Sequence, residues 1–384
     1  MSLTIRSFLN LLKSTPVTAS TVKIVCGNES ADLDSVASAI SYAYLSYIHD
    51  DTNPQPIIPV INIPREDLKL RRDIVHVLRD VNVSEDLLFF LEDVKQWNDA
   101  KKSIETILVD HNEVVNEAKK YVTKVIGIID HHKDMGLYLD SSPRIVQVCG
   151  SCSSLVFKYF MESVFGPEFK PSPDVVQLCL AAGLVDTTNF THRVEEPDLH
   201  CKELYTTLIP DVGMQTYTKT IKNAKNDISG FTARDLLRKD YKQFEFLNAN
   251  NVHGGKLVMG ISSIVKPMEW LYEEFNGLEK FKASCVKYRE EKNIDILTIM
   301  TSFVDNGTFK RELTVIPSKE TKDISQSIIA ATTNYLKLEK SNVRTLSNSS
   351  NDADPADYQE FEQCNVEASR KQVAPYLQKA FNEL

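Results

Sequence analysis

The chain has 384 residues, 42% hydrophobic and 25% charged, the composition of an ordinary globular protein with room for two or three domains. A net charge of −9 argues against general nucleic-acid binding, and no apolar run is long enough to span a bilayer. Seven cysteines, an odd number scattered along the sequence, fit a reducing, cytoplasmic setting rather than a disulfide framework.

The opening MSLTIRSFLNLLKS places Leu3, Phe8, Leu11 and Leu12 at roughly helical spacing. With Arg6 and Lys13 as its only basic residues, it reads as a helix packed on the domain rather than a targeting leader. TVKIVCG (21–27) reads as a strand and SVASAISYAYLSYI (35–48) as a helix; QPIIPVINI (55–63) is a strand and REDLKLRRDIVHVL (65–78) a charged helix. Three more strands are expected over 105–110, 124–130 and 144–150, then helices over 153–165 and 173–186. This alternation predicts a doubly wound, mostly parallel α/β sheet. Cys149-Gly150-Ser151-Cys152 spells C-x-x-C, but it sits between an apolar run and a helical pattern, where a strand-to-helix turn explains it as well as redox chemistry does.

Beyond residue 190 the character changes. Lysine-rich helical patterns run to about 247, followed by strand-like runs over 256–265, 294–304 and 311–317. These predict a second, smaller α/β domain, with the division placed at 1–215 and 216–384. Residues 342–359, rich in Ser, Asn and Asp, read as a mobile surface loop.

The run Val125-Ile126-Gly127-Ile128-Ile129 stops on Asp130-His131-His132. Ligands of open α/β sheets sit beyond the carboxyl ends of the strands, where these side chains fall. The first strand ends in GNESADLDS, carrying Asn28, Asp32 and Asp34; the strand before 110 ends on Asp110-His111; the helix over 173–186 ends on Asp186. Each alone has a bland reading, an N-cap or a surface histidine. Together they put five carboxylates and several imidazoles on one rim, which suits two or more divalent ions, Mg²⁺ or Mn²⁺, with Co²⁺ admitted by the imidazoles. Such ions sharing a bridging carboxylate ionise a water into a nucleophile.

GNESADLDS, LVDHNE, IIDHH and LVDTTNF resemble the four motifs of the DHH phosphoesterase superfamily, and NVEASRKQVAPYL resembles the end of its DHHA2-type second domain. That pairing occurs in family II inorganic pyrophosphatases, prune-like proteins and fungal exopolyphosphatases. GNESADLDS, IPREDLKLRRD, GSCSSLVF and RKDYKQF look most like the fungal cytosolic exopolyphosphatases. The resemblance implies an active site in the cleft between a DHH domain and a DHHA2 domain. It implies one ion on Asp32 and Asp110, and another on Asp34, Asp110, His131 and Asp186, with Asn28 as a further ligand. Asp110 and His132 would be catalytic, His132 facing the phosphate, while Asp130 and His111 stand behind the ligands. Lys242, Arg370 and Lys371 match the family's phosphate-binding cations.

Ser151, in a turn offering backbone N–H groups at a helix start, and Arg193, among the cations that would line a polyanion channel, are further candidate substrate contacts. Family II pyrophosphatases carry His where this chain has Asn28, so effective use of Mg²⁺ is expected. The implied activity is release of orthophosphate from the ends of inorganic polyphosphate, by attack of a metal-bridging hydroxide on the terminal phosphorus. The alternatives are an inorganic pyrophosphatase, a prune-like phosphodiesterase of short polyphosphates or nucleotides, and a regulatory phosphate-binding protein. The expected partners are polyphosphate and phosphate, with no nucleic acid or membrane, and the expected working form is a monomer.

Overall fold

The structure is a computed structural model that describes residues 3–50, 52, 56–341 and 358–384, without the side chains of 116 and 117. The chain divides into two compact units, Met1–Asp227 and Ile228–Leu384.

The first unit opens with α1 (Ile5–Ser14), capped by Thr4, whose hydroxyl accepts the Ser7 N–H; Ile5, Phe8 and Leu9 are fully buried. Then follow β1 (Thr21–Cys26), α2 (Leu33–His49), β2 (Ile58–Ile61), α3 (Arg72–Asp80), β3 (Phe89–Phe90), α4 (Leu91–Asp99), β4 (Ser103–Val109), β5 (Lys124–Asp130) and β6 (Arg144–Val146). Four helices complete the unit: α5 (Cys152–Lys158), α6 (Pro173–Asp186), α7 (Glu196–Leu208) and α8 (Met214–Asn226).

The six strands pair in the order β3-β2-β1-β4-β5-β6, all parallel. Consecutive strand residues point to opposite faces. Ile128 packs with Leu108 and Val125, while Ile129 joins the large cluster of α1, α2, α5 and α6, so both faces of the sheet are covered. The order reverses between β1 and β4, which makes the gap beyond their carboxyl ends the switch point where such sheets bind ligands. The central helix α2 carries Ser35, Ser38 and Ser41 among its buried residues, and these small side chains let it lie close against α5 and α6.

The second unit holds α9 (Ala233–Lys239), β7 (Tyr241–Leu247), β8 (Lys256–Ile264), α10 (Met268–Glu274), α11 (Leu278–Glu291), β9 (Ile296–Thr301), β10 (Phe303–Asp305), β11 (Thr308–Lys310) and β12 (Glu312–Pro317). It ends with α12 (Lys322–Leu336), β13 (Leu338–Lys340), β14 (Gln359–Gln363) and α13 (Arg370–Asn382). Its sheet runs β13-β14-β12-β9-β8-β7, parallel only between β8 and β9. The two sheets and their helices give the expected α/β class in both parts.

Several boundaries differ from expectation. The helical reading to about 247 fails at Tyr241, because YKQFEFL alternates aromatic and polar residues and pairs antiparallel with β8. The charged helix over 65–78 is a 3-10 segment, Arg65–Leu70, and then α3, broken at Arg71, whose ψ of 63° is not helical. The helix over 153–165 passes from α5 into a π-helical segment, Tyr159–Phe165. Of the loop expected over 342–359, residues 342–357 lie outside the described residues, and Gln359 already begins β14. No helix among the described residues is long and apolar enough to cross a membrane.

Candidate active site

The first connection of the switch point is tight. A Cβ on Gly27 would lie 2.5 Å from the Ser35 Cβ, so only glycine lets the end of β1 meet the start of α2. Asp32 is the N-cap of α2 and accepts the Ser35 N–H at 3.0 Å, which fits the plain capping reading. Asp34 lies one residue inside the helix and is buried. At the tip of β4, Asp110 adopts φ of +62°, an uncommon conformation for a non-glycine residue. Its carboxylate is 2% exposed and accepts Ser35 Oγ at 2.6 Å and Asn28 Nδ2 at 2.7 Å.

The tip of β5 supplies the imidazoles. The Nδ1 of His131 donates to the Cys149 carbonyl at 2.9 Å, which turns Nε2 toward Asp110 Oδ1 at 3.0 Å and Asp34 Oδ2 at 3.8 Å. This suits a metal-binding histidine: one nitrogen is fixed by a carbonyl, and the other, once deprotonated, has a lone pair for a cation. His132 points its Nδ1 at Asp130 Oδ1, 2.8 Å away, and its side chain is 56% exposed. Asp130 is fully buried and also accepts both histidine N–H groups and the Asn112 amide. The ligating atoms of Asp110, His131 and His132 lie within 4.8 Å of one another. Because Nδ1 of His132 is spent on Asp130, Asp110 and His131 are the better donors of that group.

The electrostatics describe a site short of positive charge. Burial, and then the field of Asp34, raise the Asp110 carboxyl to about 7. Burial and Asp32 raise Asp34, although His131 pulls it down. Asp186, at the last turn of α6, is pushed well up by burial and by Asp34, Asp32 and Asp110, with Lys225 opposing. Burial alone would lower His131, but its bond to Asp110 and the field of Asp34 raise it to about 10. Asp34, Asp110 and Asp186 thus crowd one place, beside Asp32, with too little cationic charge to hold all three ionised. A hard divalent cation answers that crowding, and carboxylate oxygens with one neutral imidazole suit Mg²⁺ or Mn²⁺.

Two of the expected site residues are engaged within the protein. The Asn28 side-chain oxygen accepts the Ser30 N–H at 2.8 Å, and its amide nitrogen faces the Asp110 carboxylate. An acid oxygen accepts only, so the donor end of the amide has to face it. Ser151 is fully buried and donates to Asp34 Oδ1 at 2.7 Å, while the Cys152 and Ser153 N–H groups donate to the same carboxylate at 2.6 and 2.8 Å. The turn expected to hold a phosphate therefore holds Asp34, since a buried carboxylate needs donors.

His111 donates Nδ1 to its own strand's Val109 carbonyl, and burial lowers its pKa. Arg193 is exposed, and its carbonyl oxygen lies where a Cβ on Gly150 would fall. Both cysteines of the C-x-x-C pair are buried, and burial raises Cys152 well above the usual thiol value, which removes the thiolate that redox chemistry needs.

The expected phosphate cations lie in the second unit. Lys242 on β7 stands opposite Ile261, whose carbonyl accepts Arg370 Nη1 at 3.4 Å; Arg370 also pairs with Asp240 Oδ1 at 2.6 Å. Lys371 follows Arg370 in the first turn of α13 and is exposed. Sequence reasoning gave no role to Ser35 and Asn112, although both lie inside the quoted motifs. Asp198, which reaches the turn at Gly150, carried no signal at all.

Two family models match, the DHH family, N-terminal domain, over residues 23–184 and the DHHA2 domain over 219–380. A Schizosaccharomyces pombe protein named "Putative exopolyphosphatase" is 30% identical over 99% of this chain and 96% of its own. Human "Exopolyphosphatase PRUNE1" is 25% identical over 94% of this chain and 75% of its own. A manganese-dependent inorganic pyrophosphatase of Methanocaldococcus jannaschii is 27% identical over 66% of this chain and 76% of its own. Among solved structures, one titled as a Methanococcus jannaschii putative family II inorganic pyrophosphatase matches with a TM-score of 0.55 and 22% identity, covering 94% of this chain and 100% of that one. That likeness concerns the fold. The two family models and the full-length relative place the chain in the DHH family of phosphohydrolases, with a DHHA2 domain as its second part.

Proposed function

We propose that this protein is a metal-dependent exopolyphosphatase that releases orthophosphate from the ends of inorganic polyphosphate. The observation that carries the reading is the crowded rim of Asp32, Asp34, Asp110, Asp186 and His131, in which the raised carboxyl pKa values of Asp34, Asp110 and Asp186 call for divalent cations. Such ions, two or more, supply positive charge against the phosphate oxygens and lower the pKa of a water at the site.

The chain's own groups do the rest. Ser35 and Asn28 both donate to Oδ2 of Asp110 and hold its carboxylate, and the turn at Ser151 fixes Asp34. His132 has its Nδ1 proton committed to Asp130, and that bond, ahead of the burial that opposes it, raises its pKa. In its protonated form it offers Nε2–H to a phosphate oxygen or to the departing chain end. As the water oxygen bonds to the terminal phosphorus, the bridging P–O bond breaks and its oxygen takes a proton. Lys242, Arg370 and Lys371 are the groups this reading assigns to the rest of the phosphate chain, where cations spread its charge.

A specific observation favours polyphosphate over pyrophosphate. The side chain of Asn28 orients Asp110 instead of presenting an imidazole to an ion, unlike the family II pyrophosphatases. The test is orthophosphate release with Mg²⁺ from long polyphosphate, tripolyphosphate and pyrophosphate, with Asp110→Asn as control. Fast release from long chains, little from pyrophosphate and at least a ~10²-fold loss in the variant are expected. Pyrophosphate as the best substrate would replace the reading with the pyrophosphatase one.

A further inference from the structure

Asp198 lies outside the rim, in the first turn of α7, and is fully buried. No basic side chain pairs with it among the described residues. Four donors answer its charge instead. Its Oδ2 accepts the Gly150 N–H at 2.7 Å and the Glu195 N–H at 2.9 Å. Its Oδ1 accepts Ser154 Oγ at 2.8 Å and Cys149 Sγ at 3.2 Å. Only the Glu195 contact belongs to the start of its own helix. The other three reach back to one turn, Cys149 to Ser154, which a capping role does not require.

That turn touches both central aspartates of the rim, Asp34 at its carboxylate and Asp110 at its backbone. Its Ser151 Oγ, Cys152 N–H and Ser153 N–H all donate to Asp34. Its Cys152 Sγ lies 3.2 Å from the Asp110 backbone nitrogen, whose N–H also reaches the Ile129 carbonyl at 3.0 Å. The Cys149 carbonyl receives Nδ1 of His131. Gly150 has no slack between these groups, since a Cβ there would meet the Arg193 oxygen at 2.4 Å and Asp198 Oδ2 at 2.9 Å.

We infer that Asp198 is a positioning residue for the metal centre: it clamps the Cys149–Ser154 turn, and the turn sets the attitudes of Asp34, Asp110 and His131 toward a divalent cation. This rests on reading the rim as a metal centre. Removing outer partners of metal-binding side chains typically weakens metal affinity by roughly 10- to 100-fold. Asp198→Ala removes all four acceptor contacts. Asp198→Asn keeps the shape and one acceptor oxygen, and the Ser154 hydroxyl can rotate to accept from the new amide, so its loss is smaller.

The experiment is a titration of metal-free protein with Mn²⁺, following the free ion by electron paramagnetic resonance. Wild type, Asp198→Ala, Asp198→Asn, Asp34→Asn as a yardstick and Asp174→Asn are compared. Asp174 accepts the Ile5 N–H at the start of α1 and lies at the opposite end of α6 from Asp186, so its variant reports a lost half-buried contact away from the rim. The expected result is a Kd raised 10- to 100-fold in Asp198→Ala, raised less in Asp198→Asn and unchanged in Asp174→Asn. Asp198 variants within twofold of wild type would overturn the inference while leaving the metal centre intact. Should Asp198→Ala not fold, Asp198→Asn decides by the same criterion. Wild type that takes up no Mn²⁺ overturns the metal reading itself, and this inference with it.

Discussion

The protonation of two residues makes the rim sensitive to pH. His131 has a folded pKa of about 10, above its ordinary 6.5, so the stability it contributes is complete below 6.5 and is lost as pH rises through 10. Asp110 has a folded pKa of about 7, above its ordinary 3.8. The fold favours its neutral form, so raising the pH from 4 through 7 costs stability as well. Both act in the same direction, and the metal-free protein should lose thermal stability steadily between pH 6 and pH 10. Divalent cations bind the deprotonated forms. Mn²⁺ binding at pH 7 should therefore release about one proton or more per protein, seen in calorimetry as a heat that depends on the buffer's ionisation enthalpy. A buffer-independent heat would mean that His131 and Asp110 already stand deprotonated. Truncating Ser35 to Ala removes the hydroxyl that donates to Asp110, and should weaken Mn²⁺ binding by about 1.5–3 kcal/mol, the range for a hydrogen bond to a charged group.

At the scale of elements, the site depends on two connections that have no room to spare. Gly27 and Gly150 sit where a Cβ would lie within 2.5 Å of a neighbour, at β1–α2 and at the turn before α5. Alanine at either position should lower stability by ~1–3 kcal/mol, the usual cost of overpacking, read as a shift of the denaturant midpoint at unchanged slope. Much of this architecture is legible in the chain. The apolar runs at Ile24–Cys26, Ile107–Val109 and Val125–Ile129 are unbroken because a parallel strand is covered on both faces, and each ends in a polar cluster where the sheet stops. The aspartates and histidines of the rim stand out for the same reason.

What the sequence hides are the groups that act through other groups. Asp198 lies in a polar stretch that looks solvated, and only the folding of α7 onto the Gly150 turn buries it. Ser151 reads as a helix cap or a phosphate contact, because nothing local tells that Asp34, more than a hundred positions away in the chain, will claim its hydroxyl. The strand at Tyr241–Leu247 is hidden by its lysine, glutamine and glutamate, which belong to a strand paired on one side only, at the edge of its sheet. The shift from helix to strand there rests on a period-two alternation that is short and easily overlooked.

For the whole molecule, the division into two units makes metal binding a local event. Every acid and imidazole of the rim belongs to Met1–Asp227, whereas Lys242, Arg370 and Lys371 belong to Ile228–Leu384. A cation present at a hundred times its Kd stabilises what it binds by about 2.7 kcal/mol. Hydrogen exchange should accordingly slow in β1, β4, β5 and α5 when Mg²⁺ is added, and change little in β8, β9 and β12. Equal protection of both units would show that the metal also consolidates the second one.

The same spread along the chain carries a consequence for synthesis. Asp32 is the first carboxylate of the rim to be made and Asp186 the last, and no pair of neighbouring strands contains them all. At roughly 5–20 residues per second, the ribosome needs about 8–30 s to travel from the first to the last. Throughout that interval the growing chain carries part of an acidic cluster with no complete place for a cation. On the proposed reading, the whole set of ligands for a cation exists only after α6 has left the exit tunnel and docked.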